Sequence, residues 1–228
     1  MTLEPAAASA REAERHSLPL WPLVERVPLG EWELRSDPAP VGRLIKRANS
    51  CLAMGDPGVP VVRAAEVVRR FYRERDRPVM VQVERGSDAE RAFAGLGWEV
   101  VPGGDAHFLL ARLSDVLPRV GAGDGVEVEE EEEGPRARAS RLVDGTEIGA
   151  GRAAVDDGWL AVHALTVEPS YRRQGHGAAL VATLLRWGVA RGATTAWLHV
   201  EVDNTPALAM YDALGFRRHH TCRYLRVD

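Results

Sequence analysis

The sequence predicts an α/β fold, a mixed sheet flanked by helices and organised as two tandem units. Three observations predict it. Apolar residues make up 45% and charged residues 27% of the 228 residues, ordinary values for a chain that buries a real core. Runs of strand length alternate with segments of helical period in both halves, the signature of layered sheet and helix. The stretch Gly121 to Pro135 is glycine-rich, then acidic, then glycine-proline, and it breaks the composition once. A boundary near Gly125 gives units of residues 1–124 and 125–228.

The elements follow in order. In the first half, strands are expected near Trp32 to Arg35 and Arg43 to Ser50, a helix from Val61 to Arg75, a strand from Val79 to Val83 and a helix from Asp88 to Ala94. Beyond the break, Ala137 to Val143 and Glu147 to Val155 form strands around the turn Asp144-Gly145, and Trp159 to Val167 is a third. From Gly177 to Arg191, Leu180, Leu184, Leu185 and Trp187 keep helical spacing, and Gly192 stops the helix. Thr195 to Val202 is then a strand. Thr205-Pro206 serves as N-cap and first-turn proline of a short helix that Gly215 ends, and Phe216 to Val227 closes the sheet. The halves echo each other: Val83-Glu84 stands against Val200-Glu201, and Leu96-Gly97-Trp98 against Leu214-Gly215-Phe216, in the same order of elements. This reads as an internal repeat.

Composition also excludes. Twenty-nine basic against 33 acidic residues give a net charge of -4, the wrong sign for a nucleic-acid footprint built on counterion release. Cys51 and Cys222 make no disulfide framework and no Cys/His metal spacing, so both are expected as free thiols in a reducing cytoplasm. The start, Met1 to Leu23, carries Glu4, Arg11, Glu12, Glu14 and Arg15 among alanines, without the order of a signal peptide, and no apolar run is of membrane-spanning length. The acidic run Glu127 and Glu129 to Glu133 reads as a solvated edge or linker, or more sharply as a lip that attracts a cationic substrate.

The chemistry concentrates in Leu165-Thr166-Val167-Glu168-Pro169-Ser170-Tyr171-Arg172-Arg173-Gln174-Gly175-His176-Gly177-Ala178: a strand, a basic turn, two glycines and a helix. Glycines let backbone approach a ligand, first-turn amides have no intrahelical partner, and the helix dipole adds to the charge of Arg172 and Arg173. This is a polyphosphate cradle. A dinucleotide-binding turn fails in detail, because Leu180 holds the third glycine position and several residues separate Val167 from Gly175. A Walker loop fails for want of a following Gly-Lys-Ser/Thr.

Arg172-Arg173-Gln174-Gly175-His176-Gly177 resembles the Arg/Gln-x-x-Gly-x-Gly/Ala signature of the GCN5-related N-acetyltransferase family. A second resemblance follows: the strand Leu198 to Asp203, then Asn204, then a helix with Tyr211 before Leu214-Gly215-Phe216. The resemblance covers about Trp159 to Phe216. It implies an acetyltransferase-like fold with the second unit catalytic, and acetyl-CoA as cosubstrate. The pyrophosphate would lie on the amides of Arg172, Arg173, Gln174, Gly175, His176, Gly177 and Ala178, and the pantetheine arm on the backbone of Leu165, Thr166 and Val167, with Asn204 completing the cofactor set. The first half has Phe93 where Tyr211 stands and no basic turn in Met54 to Pro60, so it should not bind CoA. The second unit has no room before Ala137 for the helices that usually wall the family's acceptor cleft. The first half is expected to supply that wall, with Arg47 and Asn49 on a strand facing the cleft.

Amine acetylation needs a neutral amine, and an amine of pKa near 10.4 is neutral in about one molecule in two thousand at pH 7. By resemblance Tyr211 is the acid that protonates the departing thiolate. For the base, strand alternation puts His199 and Glu201 on one face; many relatives carry Glu where His199 stands, and the choice is open between His199, Glu201 and a water held by either. His163 reads as a satisfied half-buried histidine. His219-His220 looks like a metal pair but lacks further ligands at usable spacing, and reads as a surface pair at the end of the sheet; no metal is expected. The function implied is transfer of acetyl from acetyl-CoA to a primary amine of a small molecule, peptide or protein, without nucleic acid or membrane. The alternative is a non-catalytic acyl-CoA sensor or partner module.

Overall fold

The computed structural model describes residues 7–21, 23–40, 42, 44–132 and 134–228; Glu4, Arg43 and Glu133, on which readings above fell, lie outside the described residues. The elements are α1 (Ala10–Arg15), β1 (Glu25–Leu29), β2 (Trp32–Ser36), β3 (Cys51–Leu52), α2 (Val61–Arg73), β4 (Met80–Glu84), α3 (Asp88–Gly95), β5 (Glu99–Val100), β6 (Ala106–Arg112), α4 (Leu113–Val116), β7 (Val126–Glu130), β8 (Arg136–Val143), β9 (Thr146–Asp156), β10 (Trp159–Val167), α5 (His176–Val189), β11 (Thr195–Glu201), α6 (Thr205–Leu214) and β12 (Arg217–Arg226). The fold is the mixed α/β arrangement read from the sequence.

The chain forms two compact units, whose bounds differ from a cut at Gly125. One holds Ser9–His107, Glu201–Asp203 and His220–Asp228; the other holds Phe108–Val200 and Asn204–His219. The reason is packing. Leu109, Ala111, Leu113, Val116 and Val120 are buried in the same core as α5 and β10, so the second unit's core begins well before the composition break. That break marks an exposed turn and an edge strand.

In the N-terminal unit the strand order is β1-β2-β3-β4-β12, with β5 also on β12. α1 starts at a capping box, Ser9 with Glu12, each side chain bonding the other's backbone N–H. α2 buries Ala64, Ala65, Val68, Phe71 and Tyr72, an apolar stripe at helical spacing, against β3 and β4, which run parallel. Phe93 of α3 is wholly buried between Trp32 and Trp98, at ring distances of 5.5 and 4.8 Å. The strand expected at Arg43 to Ser50 is instead a 3-10 turn at Lys46–Ala48 followed by the two-residue β3. Asn49 explains why: its side chain accepts from the Asp37 N–H at 3.0 Å and donates to the Ile45 carbonyl at 3.1 Å, an alternative to a strand ladder. Asn49 is wholly buried in that role and Arg47 lies in the turn, so neither is on a strand facing a cleft.

In the C-terminal unit the order is β6-β11-β10-β9-β8-β7. Helix α5 lays Leu180, Val181, Leu184, Leu185 and Trp187 on one face of this sheet. Its close approach depends on Gly188, where a Cβ would come within 2.6 Å of Leu160. The acidic run is β7, an edge strand paired antiparallel to β8, with Glu130 and Glu131 in ion pairs with Arg191 and Arg152. Charge on an edge strand deters sheet-to-sheet pairing. No helix among the described residues is long and apolar enough to cross a membrane.

Candidate functional site

The site begins where two parallel strands part. β10 and β11 pair only through Trp159–Ala161 and Thr195–Trp197, yet both run on, to Val167 and Glu201. On its other edge β10 keeps its partner β9, through a register shift between His163 and Thr166 with Ala164 at φ +52°. The extra residue of this bulge resets the alternation. Leu160 and Val162 face the helix-side core before it, and Leu165 and Val167 after it. Leu165, Thr166 and Val167 therefore form a stretch paired to β9 and not to β11, with Thr166 exposed and the other two half-buried. A slot at the carboxyl ends of parallel strands is where open α/β sheets receive ligands.

The turn that follows is braced from within. Arg172 donates through Nε to the Val167 carbonyl at 2.9 Å, and Gln174 donates through Nε2 to the Ser170 carbonyl at 3.2 Å. Arg172 and Arg173 are exposed, and Arg173 has φ +64°. Gly175 is the N-cap of α5 at φ +87°, a conformation that side chains with a Cβ rarely adopt, and nothing lies within 4 Å of where its Cβ would be. The amides of His176, Gly177 and Ala178 open a 14-residue helix, and first-turn amides require a partner from outside the helix. Open space, aligned amides, helix dipole and two guanidinium groups suit a phosphate. Asn204 is the N-cap of α6, its side-chain oxygen accepting from the Ala207 N–H at 3.3 Å, and Pro206 is the second helical residue; the cap is Asn204 and not Thr205.

The candidate acid and base lie on opposite faces of β11. Tyr211 of α6 is 5% exposed in the helix-side core with Leu198 and Val200, edge-on to Phe216 at 5.6 Å. Burial alone pushes its phenol up to about 12. His199 is half-buried on the other face, edge-on to Phe108 at 5.0 Å and to Trp197 at 5.6 Å. His199 is also the first residue on that face of β11 beyond the end of the β10 pairing. Glu201, two residues on, is exposed and belongs to the other compact unit. Such an arrangement can serve a group threaded through the slot, with one proton handled on each side.

The sequence model of the family described as Probable histone acetyltransferase Rv0428c C-terminal matches residues 131–225, which span the slot, the cradle and Tyr211. Residues 131–225 are thus similar to an acetyltransferase C-terminal domain. The chain is 44% identical over 52 residues to the ribosomal protein bS18-alanine N-acetyltransferase of Escherichia coli, covering 23% of this chain and 35% of that protein. It is 41% identical over 78 residues to the mycothiol acetyltransferase of Clavibacter sepedonicus, covering 34% and 26%. The chain thus spans about a third or less of the length of these relatives. A solved GCN5-related N-acetyltransferase from Kribbella flavida shares the fold across both units, with 94% of each chain covered, a TM-score of 0.67 and 20% identity.

The N-terminal unit repeats the topology without the cradle. β3 and β4 are parallel with α2 between them in the chain, as α5 lies between β10 and β11, but α2 is capped by Pro60. The loop before it is closed on itself. The Asp56 N–H donates to Glu31 Oε2 at 2.7 Å, the Gly58 N–H to Asp56 Oδ1 at 2.8 Å, and Trp32 Nε1 to the Gly55 carbonyl at 3.0 Å. Three strand spacings, roughly 14 Å, separate the acidic β7 from β10, more than a Debye length at 0.1 M salt, so the glutamates do not border the slot. Phe108, stacked on Trp197 at 5.0 Å, was not read as part of the site; its run Phe108 to Ala111 has no alternation to assign it. The His219-His220 pair is not a surface pair. His219 is half-buried with Nε2 at 2.8 Å from the Ala8 carbonyl, and His220 is 6% exposed against Glu14.

Proposed function

We propose that the chain is an N-acetyltransferase that moves the acetyl group of acetyl-CoA directly to a primary amine. The observation that carries the proposal is the parting of β10 and β11 beyond Ala161 and Trp197, between the cradle and Tyr211. In this reading acetyl-CoA supplies an activated acetyl thioester, with its pyrophosphate against the amides of His176, Gly177 and Ala178 and the charges of Arg172 and Arg173. The backbone of Leu165 to Val167, unmatched by β11, extends along the pantetheine arm as a neighbouring strand would. Asn204 holds the start of α6, and so the position of Tyr211 seven residues on.

The chemistry needs the nitrogen to shed two protons and the departing sulfur to gain one. His199, Glu201 or a water held by either takes a proton from the incoming ammonium, and the neutral amine attacks the thioester carbon from that face. The C–N bond forms as the C–S bond breaks, the attacking nitrogen gives its second proton to solvent on its own face, and the Tyr211 hydroxyl on the opposite face donates to the departing sulfur and is reprotonated from solvent. The relatives named above are, by their names, an N-acetyltransferase of a ribosomal-protein alanine and a mycothiol acetyltransferase, and the first supports an amine as acceptor class. Thiol release from acetyl-CoA over a panel of small amines, amino acids and peptide N-termini tests the reading. Turnover with at least one amine, together with an acetylated product of matching mass, is the expected result; tight CoA binding without turnover across the panel would favour a non-catalytic sensor.

A further inference from the structure

The N-terminal unit contains a cluster that acetyl transfer does not use. Glu14 of α1 and His220 and Cys222 of β12 are 0%, 6% and 1% exposed, and their ligand atoms lie within 4.8 Å of one another. The Cys222 thiol donates to Glu14 Oε1 at 2.9 Å, His220 Nε2 lies 3.3 Å from that oxygen, and sulfur and ring nitrogen are 3.4 Å apart. His220 and Cys222 share a strand face because they are two residues apart. Glu14 is brought to them from the other end of the chain. Ser17, also wholly buried, donates to the Glu14 main-chain carbonyl at 2.6 Å and lies 3.4 Å from the second carboxylate oxygen, which holds the glutamate in place.

One thiolate, one imidazole and one carboxylate are a donor set of the kind zinc takes, and the distances are near what it needs. With metal–ligand bonds of about 2.0–2.3 Å, the edges of a tetrahedral site run about 3.4–3.6 Å. Two of the three edges are within about 0.2 Å of that range. The third, sulfur to carboxylate, is shorter because a proton lies between them. We propose that Glu14, His220 and Cys222 form a buried structural zinc site that fastens α1 to β12. Coordination replaces the thiol proton, which leaves to solvent, and the remaining position falls to the second oxygen of Glu14 or to a water. The burial makes the site a structural one, closed to substrate.

The test uses the full chain, refolded with cobalt(II) in place of zinc so that the ligands are visible. The expected result is one cobalt per chain, tetrahedral d–d absorption and a thiolate-to-cobalt charge-transfer band. The band should be lost in Cys222→Ser and kept in Cys51→Ser, and zinc should displace it. Mass spectrometry of the purified protein should find zinc, and excess zinc should raise the unfolding midpoint of metal-stripped protein by roughly 5–10 °C at a hundredfold excess over Kd. Wild-type protein alone decides the matter if Cys222→Ser fails to fold. A folded wild-type chain with no charge-transfer band and no zinc-dependent midpoint overturns the proposal, and so does a band that follows Cys51. Neither result bears on acetyl transfer.

Discussion

Replacing Tyr211 by Phe removes one oxygen from the proposed site. The ring stays edge-on to Phe216 at 5.6 Å, and the hydroxyl makes no hydrogen bond among the described residues, so its loss strands no buried partner. Stability should therefore change by less than about 1 kcal/mol. The catalytic effect should be larger. A phenol raised from 10 to about 12 by burial is held roughly 3 kcal/mol against ionisation, so it stays protonated and can act only as a donor. A hydrogen bond to a group gaining charge is worth about 1.5–3 kcal/mol, which corresponds to a fall in kcat of roughly 10- to 150-fold. The assay is CoA release under saturating acetyl-CoA, with cofactor affinity by calorimetry and stability by thermal unfolding on the same preparations. Affinity should stay within a few fold, and the loss in kcat should be uniform from pH 6 to 10, because nothing about Tyr211 titrates there. An unchanged kcat would refute the acid assignment and leave Tyr211 a core residue.

Three further outcomes are expected. Calorimetry should find one acetyl-CoA per chain, and Gly175→Val, which cannot hold φ +87°, should weaken it at least about tenfold; two sites, or unchanged affinity in the variant, would remove the cradle argument. A fragment starting at Gly125 loses Leu109, Leu113 and Val116 from the C-terminal core, buried side chains whose truncation costs about 2–5 kcal/mol each, and should be unfolded or insoluble by circular dichroism and sedimentation. Burial pushes the Cys51 thiol from 9 up to about 12 and raises Tyr72, Tyr211 and Tyr224 as well, so the folded chain keeps protons that the unfolded chain releases above pH 9 to 10. Stability is then whole below pH 9 and declines as pH rises toward 12, visible as a falling unfolding midpoint.

What the sequence made legible was whatever depends on local pattern. Trp159 to Val167 was bounded correctly because polar punctuation, Asp157-Gly158 before and Glu168-Pro169 after, frames an apolar run. Other features were written locally and still passed over, such as the Ser9/Glu12 capping box that opens α1. The bulge at Ala164 was not legible, since Ala-Leu-Thr carries no mark of an inserted residue, and with it went the knowledge of which face Leu165 presents. The unit boundary was misplaced because an acidic edge strand and a linker have the same composition. The partner of His220 could not be read at all: Glu14 is 206 positions away, and it is the pairing of β12 with β4 and β5 that puts the end of the chain in the N-terminal unit.

The two units also show how little separates a phosphate cradle from its absence. Both have parallel strands joined through a helix whose N-terminus lies at the carboxyl end of the sheet, and both have glycines at positive φ in the preceding loop, Gly55 and Gly58 in one and Gly175 in the other. In the C-terminal unit the side chains of that loop bond backward, to the carbonyls of Val167 and Ser170, and leave the helix amides for a ligand. In the N-terminal unit the carboxylates of Glu31 and Asp56 occupy the loop amides themselves, and Arg11 lies on Glu31 at 3.2 Å. On the proposed reading, the first unit keeps the order of strands and helices and is still a poor anion site, because two internal carboxylates already bond its loop amides.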